Sequence, residues 1–188
     1  SLHYLPMTPL TALTALGPLD GRYSDAVEPL REYFSEYALM KYRVIAECEY
    51  FIALSSAGAG LREITSSEKD ALRKIATDFS IDDARLVKKI EREGANGHPA
   101  TNHDVKAVEY YLKQKIKGTS LEDVSEWIHF GLTSEDINSV AYGMLLRGSL
   151  EEVFLPEFEK IQSALQLMIE EHAATPMLAR THGQPASP

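Results

Sequence analysis

Only one of the 188 residues is a cysteine, Cys48. A lone thiol rules out a disulfide within the chain, and a reducing compartment is the default for such a sequence. Long apolar runs are also missing: no stretch approaches the ~20 residues that a membrane span requires. The opening Ser1-Leu2-His3-Tyr4-Leu5-Pro6 has neither the basic nor the apolar region of a secretory signal. The expected location is cytoplasmic. Positive charge is scarce, with 19 Lys and Arg against 28 Asp and Glu and a net charge of -9. That balance excludes a non-specific nucleic-acid surface, which needs a basic footprint. It leaves room for an anionic small molecule, because local arginines and helix starts reverse the field inside a cleft. There is no phosphate-cradling glycine loop and no Gly-x-Ser-x-Gly elbow. The histidine spacings match no common metal pattern. Strand-like alternation, internal repeats and low-complexity segments are absent as well.

What the chain does have is helical spacing. After a turn-rich start through Gly17-Pro18-Leu19-Asp20-Gly21, apolar residues recur at three and four. Leu30, Tyr33, Phe34, Tyr37 and Met40 lead into a broad stripe of Val44, Ile45, Cys48, Phe51 and Ile52. Gly58 and Gly60 are stop signals. Ser67 and Asp70 read as an acidic capping box for a helix carrying Leu72, Ile75, Ala76 and Phe79. Residues 81–92 and about 103–117 read as further helices. Between them lies the loop Gly94-Ala95-Asn96-Gly97-His98-Pro99. Val124, Trp127, Ile128 and Phe130 follow at helical spacing up to Gly131. From Ile137 to about Ala173 an apolar stripe runs on for some ~50–60 Å if continuous, and Pro156 must interrupt or kink it. The expected class is all-α. The last stripe includes Phe158, Ile161, Leu165 and Met168 and has little of this chain left to bury it. Partner helices from further sequence or other subunits are expected.

Three polar clusters flank these helices. Thr133-Ser134-Glu135-Asp136 reads as a capping box, with Thr133 accepting from a first-turn N–H and Asp136 reaching back. It reads equally as a helix start whose N–H groups and hydroxyls hold an anion. Thr101-Asn102-His103-Asp104 opens the helix after it, with Asn102 or Asp104 as its cap. Arg22 and Tyr23 are either surface residues or a clamp for phosphate, arginine being suited to bidentate contact. His182 sits between Thr181 and Gly183-Gln184-Pro185, just after the long helix. Its setting is a kink rather than a core, and Gly183 lets another backbone or a ligand come close. His129 lies among Trp127, Ile128 and Phe130 and reads as packed, and His172 as a favourable cation at a helix end.

In order along the chain, these clusters resemble those of the adenylosuccinate lyase family, in the fumarase/aspartase superfamily. The segments that carry the resemblance are Asp20-Gly21-Arg22-Tyr23, Thr101-Asn102-His103-Asp104-Val105-Lys106-Ala107-Val108-Glu109-Tyr110, Ser125-Glu126-Trp127-Ile128-His129-Phe130, Thr133-Ser134-Glu135-Asp136-Ile137-Asn138 and Arg180-Thr181-His182-Gly183-Gln184-Pro185-Ala186. They span nearly the whole chain but match only the first part of a family protein. The resemblance implies an N-terminal helical domain over residues 1–132. From 133 to 188 it implies the opening of a central helical bundle whose remainder is absent here.

The resemblance also implies a reaction, elimination of fumarate from adenylosuccinate to give AMP, and from the succinylated aminoimidazole carboxamide ribotide of purine biosynthesis. It makes His182 the general acid that protonates the leaving nitrogen. Arg22 and Tyr23 bind near the substrate phosphate. Asn102, His103 and Asp104 contact substrate, and Thr133 and Ser134 hold a succinyl carboxylate. It implies no metal or organic cofactor, and a homotetramer with composite sites. The family's base is a serine on a mobile loop that this chain lacks, so the chain alone is expected to be inactive. Glu93 to Ala100 looks like an expanded loop beside the histidine cluster. The rival readings are a structural or interaction protein on the same scaffold and another lyase of the superfamily.

Overall fold

A computed structural model of the chain describes residues 11–95, 97 and 99–186. His3 and the rest of the first ten residues lie outside the described residues, as do Asn96, His98, Ser187 and Pro188. The chain divides into two units, Ser1–Ser149 and Leu150–Pro188.

In the first unit a turn-rich segment leads through a 3-10 turn, Glu28–Leu30, into α1, Arg31–Phe34, and α2, Glu36–Ser56. The spacing alone reads α1 and α2 as one run. Ser35 breaks it: its backbone is extended, and its hydroxyl accepts from the Ala38 N–H at 3.1 Å while donating to the Arg31 carbonyl at 2.6 Å. That is an N-cap, which satisfies a donor left orphaned by a helix start. α2 ends at Ser56, and Gly58 and Gly60 follow at positive φ.

α3, Ser66–Thr77, begins two residues earlier than the Ser67–Asp70 box would place it. The box that forms is Thr65 with Glu68. The Thr65 N–H donates to Glu68 at 2.8 Å, and Arg62 grips the same carboxylate with two nitrogens at 2.9 and 3.1 Å. The expected Ser67–Asp70 box is thus replaced by one with the more usual glutamate at its third position, which Arg62 also holds. α4, Ile81–Arg92, is capped by a second box, Ser80 with Asp83.

α5, Asp104–Ile116, and a 3-10 stretch, Glu122–Trp127, complete the main core with α2, α3 and α4. Phe51, Leu72, Val87, Val108, Tyr111 and Leu121 are at most 2% exposed, and each such side chain contributes about 1.5–3 kcal/mol by leaving water. Cys48 belongs to this core; burial pushes its thiol up to about 12 and keeps it a small apolar group. α6, Ser134–Ser149, packs on α2. Ala46, Val105 and Ile137, from α2, α5 and α6, form a separate small apolar cluster.

The second unit opens with a π-helical turn, Leu150–Phe154, followed by α7, Leu155–His172. Pro156 lies in the first turn of α7, where a missing N–H costs no hydrogen bond. The expected interruption thus takes the form of a helix restart preceded by a widened turn. Along α7, Phe158, Ile161, Leu165 and Met168 are each more than half exposed. A two-stranded antiparallel hairpin ends the unit, β1 Ala179–Thr181 with β2 Gln184–Ala186, pairing Thr181 with Gln184. The fold is all-α, with this hairpin as the addition the spacing did not predict. Among the described residues no helix is long and apolar enough to cross a membrane.

Candidate active site

The loop before α5 is tied to the end of α4: the Thr101 N–H donates to the Ile90 carbonyl at 3.2 Å and the Asn102 N–H to the Glu91 carbonyl at 2.9 Å. Asn102 turns the chain at φ 50°, a left-handed conformation that asparagine tolerates better than most residues. The turn leaves His103, not Asn102 or Asp104, as the residue that caps α5. His103 is extended, and its Nδ1 accepts from the Lys106 N–H at 3.4 Å. Asp104 is already inside the helix, with one oxygen taking the Val105 N–H at 2.9 Å and the other facing Arg43 at 2.8 Å.

The cap fixes the tautomer. A neutral imidazole whose Nδ1 accepts carries its proton on Nε2. That nitrogen lies 3.2 Å from the Ser134 hydroxyl, 31 residues on in sequence. The start of α5 and the start of α6 therefore meet through His103 and Ser134. His103 and Asp104 are half exposed, so the pair sits at a surface that a ligand can reach.

At the start of α6, Asp136 reaches back as the capping reading expects. Its carboxylate accepts from the Thr133 N–H at 2.7 Å and from the Thr133 hydroxyl at 2.9 Å. The backbone bond, then the hydroxyl bond, holds Asp136 below the usual carboxylate range. The Thr133 hydroxyl is thus spent as a donor on Asp136, and the Ser134 hydroxyl is the one turned towards the neighbouring helix start.

Beneath this pair lies a residue the sequence reading passed over. Arg43 of α2 is 5% exposed; its Nε donates to Asn138 Oδ1 at 2.9 Å, while Nη2 pairs with Asp104. Burial pushes the Asp104 carboxyl up, but attraction to Arg43, helped by the Val105 N–H, outweighs it and leaves the group below its ordinary value. One helical turn further along α2, the Glu47 side chain is fully buried and bonded to His129 Nδ1. Its second oxygen has no hydrogen-bond partner among the described residues. His129 is packed as expected, but its packing is polar. Burial raises the Glu47 carboxyl, and His129 holds it back.

Arg22 and Tyr23 belong to the first unit with this pair, and His182 to the second. Arg22 and Tyr23 are exposed in the turn-rich segment, with the guanidinium stacked 5.6 Å from the ring centroid. No hydrogen bond or ion pair among the described residues joins them to His103 or Ser134. His182 belongs to the second unit. It sits at the tip of the β1–β2 hairpin with φ 47°, followed by Gly183 at φ 75°. Two left-handed residues make the tight two-residue turn that suits strand twist. The His182 side chain is exposed there. A cleft of about 810 Å³ in the first unit runs along α5 and is lined by Lys106, Glu109, Lys113, Glu126 and His129. It is a salt-bridged groove in which Glu109 pairs with both lysines. Its lining does not include His103, Asp104, Thr133 or Ser134. No group of three or more His, Cys, Asp or Glu among the described residues is placed to hold a metal ion.

The chain is similar to the adenylosuccinate lyase of Haemophilus influenzae, 48% identical over 183 residues, covering 95% of this chain and 38% of that protein. The adenylosuccinate lyases of Dictyostelium discoideum and Escherichia coli are 46% and 43% identical over the same shares. The chain thus spans about 38% of the length of the curated relatives it matches. A family model described as lyase matches residues 21–188, and the chain accordingly belongs to that lyase family.

Proposed function

We propose that the protein containing this chain is a carbon–nitrogen lyase that eliminates fumarate from adenylosuccinate, giving AMP, and from the succinylated aminoimidazole carboxamide ribotide. The observation that carries the reading is the meeting of His103 and Ser134 at two helix starts, in a chain whose relatives of 39–48% identity bear the name adenylosuccinate lyase. Helix starts present N–H groups and a favourable dipole to an anion, and the substrate is a polyanion.

The roles follow from what the reaction demands. A proton must leave a carbon beside a carboxylate, so donors are needed where negative charge develops. Ser134 and Thr133, with the N–H groups of the first turn of α6, take a succinyl carboxylate; Thr133 releases Asp136 to do so. Asn102, His103 and Asp104 contact the substrate from the start of α5. Arg22 and Tyr23 hold the phosphate. The departing purine nitrogen needs a proton, a contribution of ~10²–10⁴ in rate, and His182 supplies it in the assembled enzyme. The general base comes from sequence outside this chain. No metal or organic cofactor takes part.

The bundle of the whole protein opens at Thr133, and the assembly is a homotetramer with composite sites. The apolar stripe of α7, exposed at Phe158, Ile161, Leu165 and Met168, is what further helices would cover. Its place is the cytoplasm. The test is fumarate release from adenylosuccinate, followed for the full-length protein, for residues 1–188 alone and for full-length His182→Ala. Turnover by the first only, with the variant still tetrameric by light scattering, is expected. Rapid turnover by residues 1–188, or by the variant, refutes the reading.

A further inference from the structure

Three helices converge beneath the two helix starts. Their apolar junction is Ala46 of α2, Val105 of α5 and Ile137 of α6. Arg43, one turn before Ala46 on α2, is the polar part of the same junction. Its planar fork takes Asn138 Oδ1 through Nε and Asp104 Oδ2 through Nη2, at 2.9 and 2.8 Å. The orientation of Asn138 is set from both ends, since its Nδ2 donates to Glu135 at 3.3 Å; a flipped amide would turn an N–H against the guanidinium. Asp104 directly follows the His103 cap, and Asn138 lies one turn inside α6 from Ser134. A single buried cation thereby ties both segments that carry the His103–Ser134 contact. Lysine has no rigid fork with which to make both bonds in fixed geometry.

We infer that Arg43 is a positioning residue for the proposed elimination: it touches no substrate, and it sets the separation of His103 and Ser134 by clamping Asp104 and Asn138 to one guanidinium. The inference rests on the function proposed above. Small displacements of a positioned group cost rates of up to ~10²-fold.

The experiment uses the full-length protein and its Arg43→Met, Arg43→Lys and Asn138→Leu variants, with kcat and KM measured per folded tetramer. Arg43→Met should keep the tetramer and lose kcat by about tenfold to a hundredfold, with a smaller change in KM. Arg43→Lys should recover only part of the loss. Asn138→Leu combined with Arg43→Met should lose little beyond Arg43→Met alone, because both act through one clamp. Crystal structures of the parent and Arg43→Met should show the His103–Ser134 separation widened beyond hydrogen-bond reach. Unchanged kcat and KM, or full rescue by lysine, overturns the inference, as does a loss that vanishes once the folded fraction is counted. If the parent itself releases no fumarate, the function proposed above fails instead. The positioning claim is then judged on the crystal structures, and an unchanged separation in Arg43→Met overturns it.

Discussion

Glu47 and His129 form a buried pair across 82 residues of sequence, and the other Glu47 oxygen has no hydrogen-bond partner among the described residues. Burial raises the carboxyl and His129 restrains it, so His129→Ala should push it further up. Removing one partner of a buried pair costs about 3–5 kcal/mol. The sign with pH follows from linkage. A carboxyl raised in the folded state favours folding below its ordinary value near 4.5, and that contribution is lost as pH rises through the raised value. The deficit of His129→Ala against the parent chain should therefore be smaller near about pH 5 than near about pH 8, as read by thermal denaturation. An equal deficit at both would mean that Glu47 is not what the variant strands.

Gly148 faces the Tyr33 ring so closely that an added Cβ would lie 2.7 Å from Cε1, while Gly143 on the same helix has nothing within 4 Å. Alanine is favoured over glycine in a helix by about 1 kcal/mol, and overpacking costs about 1–3 kcal/mol. Gly143→Ala should raise the Tm and Gly148→Ala should lower it. Matching shifts of one sign would show that Tyr33 yields freely.

Arg62 and the Thr65 N–H hold Glu68 at about 2. A carboxyl depressed in this way contributes stability above its ordinary 4.5, and the contribution drains away as pH falls towards 2. Glu68→Gln should cost about 1–2 kcal/mol near neutrality, at the low end because Arg62 is partly exposed and screened. The Tm gap between variant and parent should close on acidification. A gap that persists unchanged at pH 3 would place the loss in the capping box rather than in the charge.

His103 caps α5 through Nδ1 and meets Ser134 through Nε2, so the two jobs separate by substitution. Asparagine is a good N-cap and too short for the second contact. His103→Asn should leave the Tm of the full-length protein nearly unchanged while lowering fumarate release. His103→Ala should lose both, with about 0.5–1 kcal/mol of stability for the cap. Full activity in His103→Asn would remove the histidine from the site.

Much of the helical layout was legible because spacing at three and four is a local signal. Residues 81–92 and 104–116 stand where their apolar stripes place them, and Pro156 interrupts the last run. Errors arose where two local signals competed. Ser67 and Asp70 read as the box of α3, and Thr65 with Glu68 forms it instead, its carboxylate also held by Arg62. Asn102 and Asp104 read as the caps of α5, and the left-handed turn at Asn102 puts His103 in that place instead. The hairpin at His182 escaped because three-residue strands carry no alternation to read. Arg43 and Glu47 escaped because they stand within a helix buried on most of its faces, where the spacing marks the apolar stripe and not the charged residues beside it.

The sequence by itself determined the all-α class, the polar segments at the helix starts and their likeness to a lyase family, since each depends on residues close in the chain. Only the tertiary structure decided that His103 meets Ser134, that Arg43 clamps Asp104 to Asn138, and that Glu47 is buried against His129. Those contacts join residues from 31 to 95 positions apart, and such partners are selected by the packing of whole helices, which no local pattern encodes.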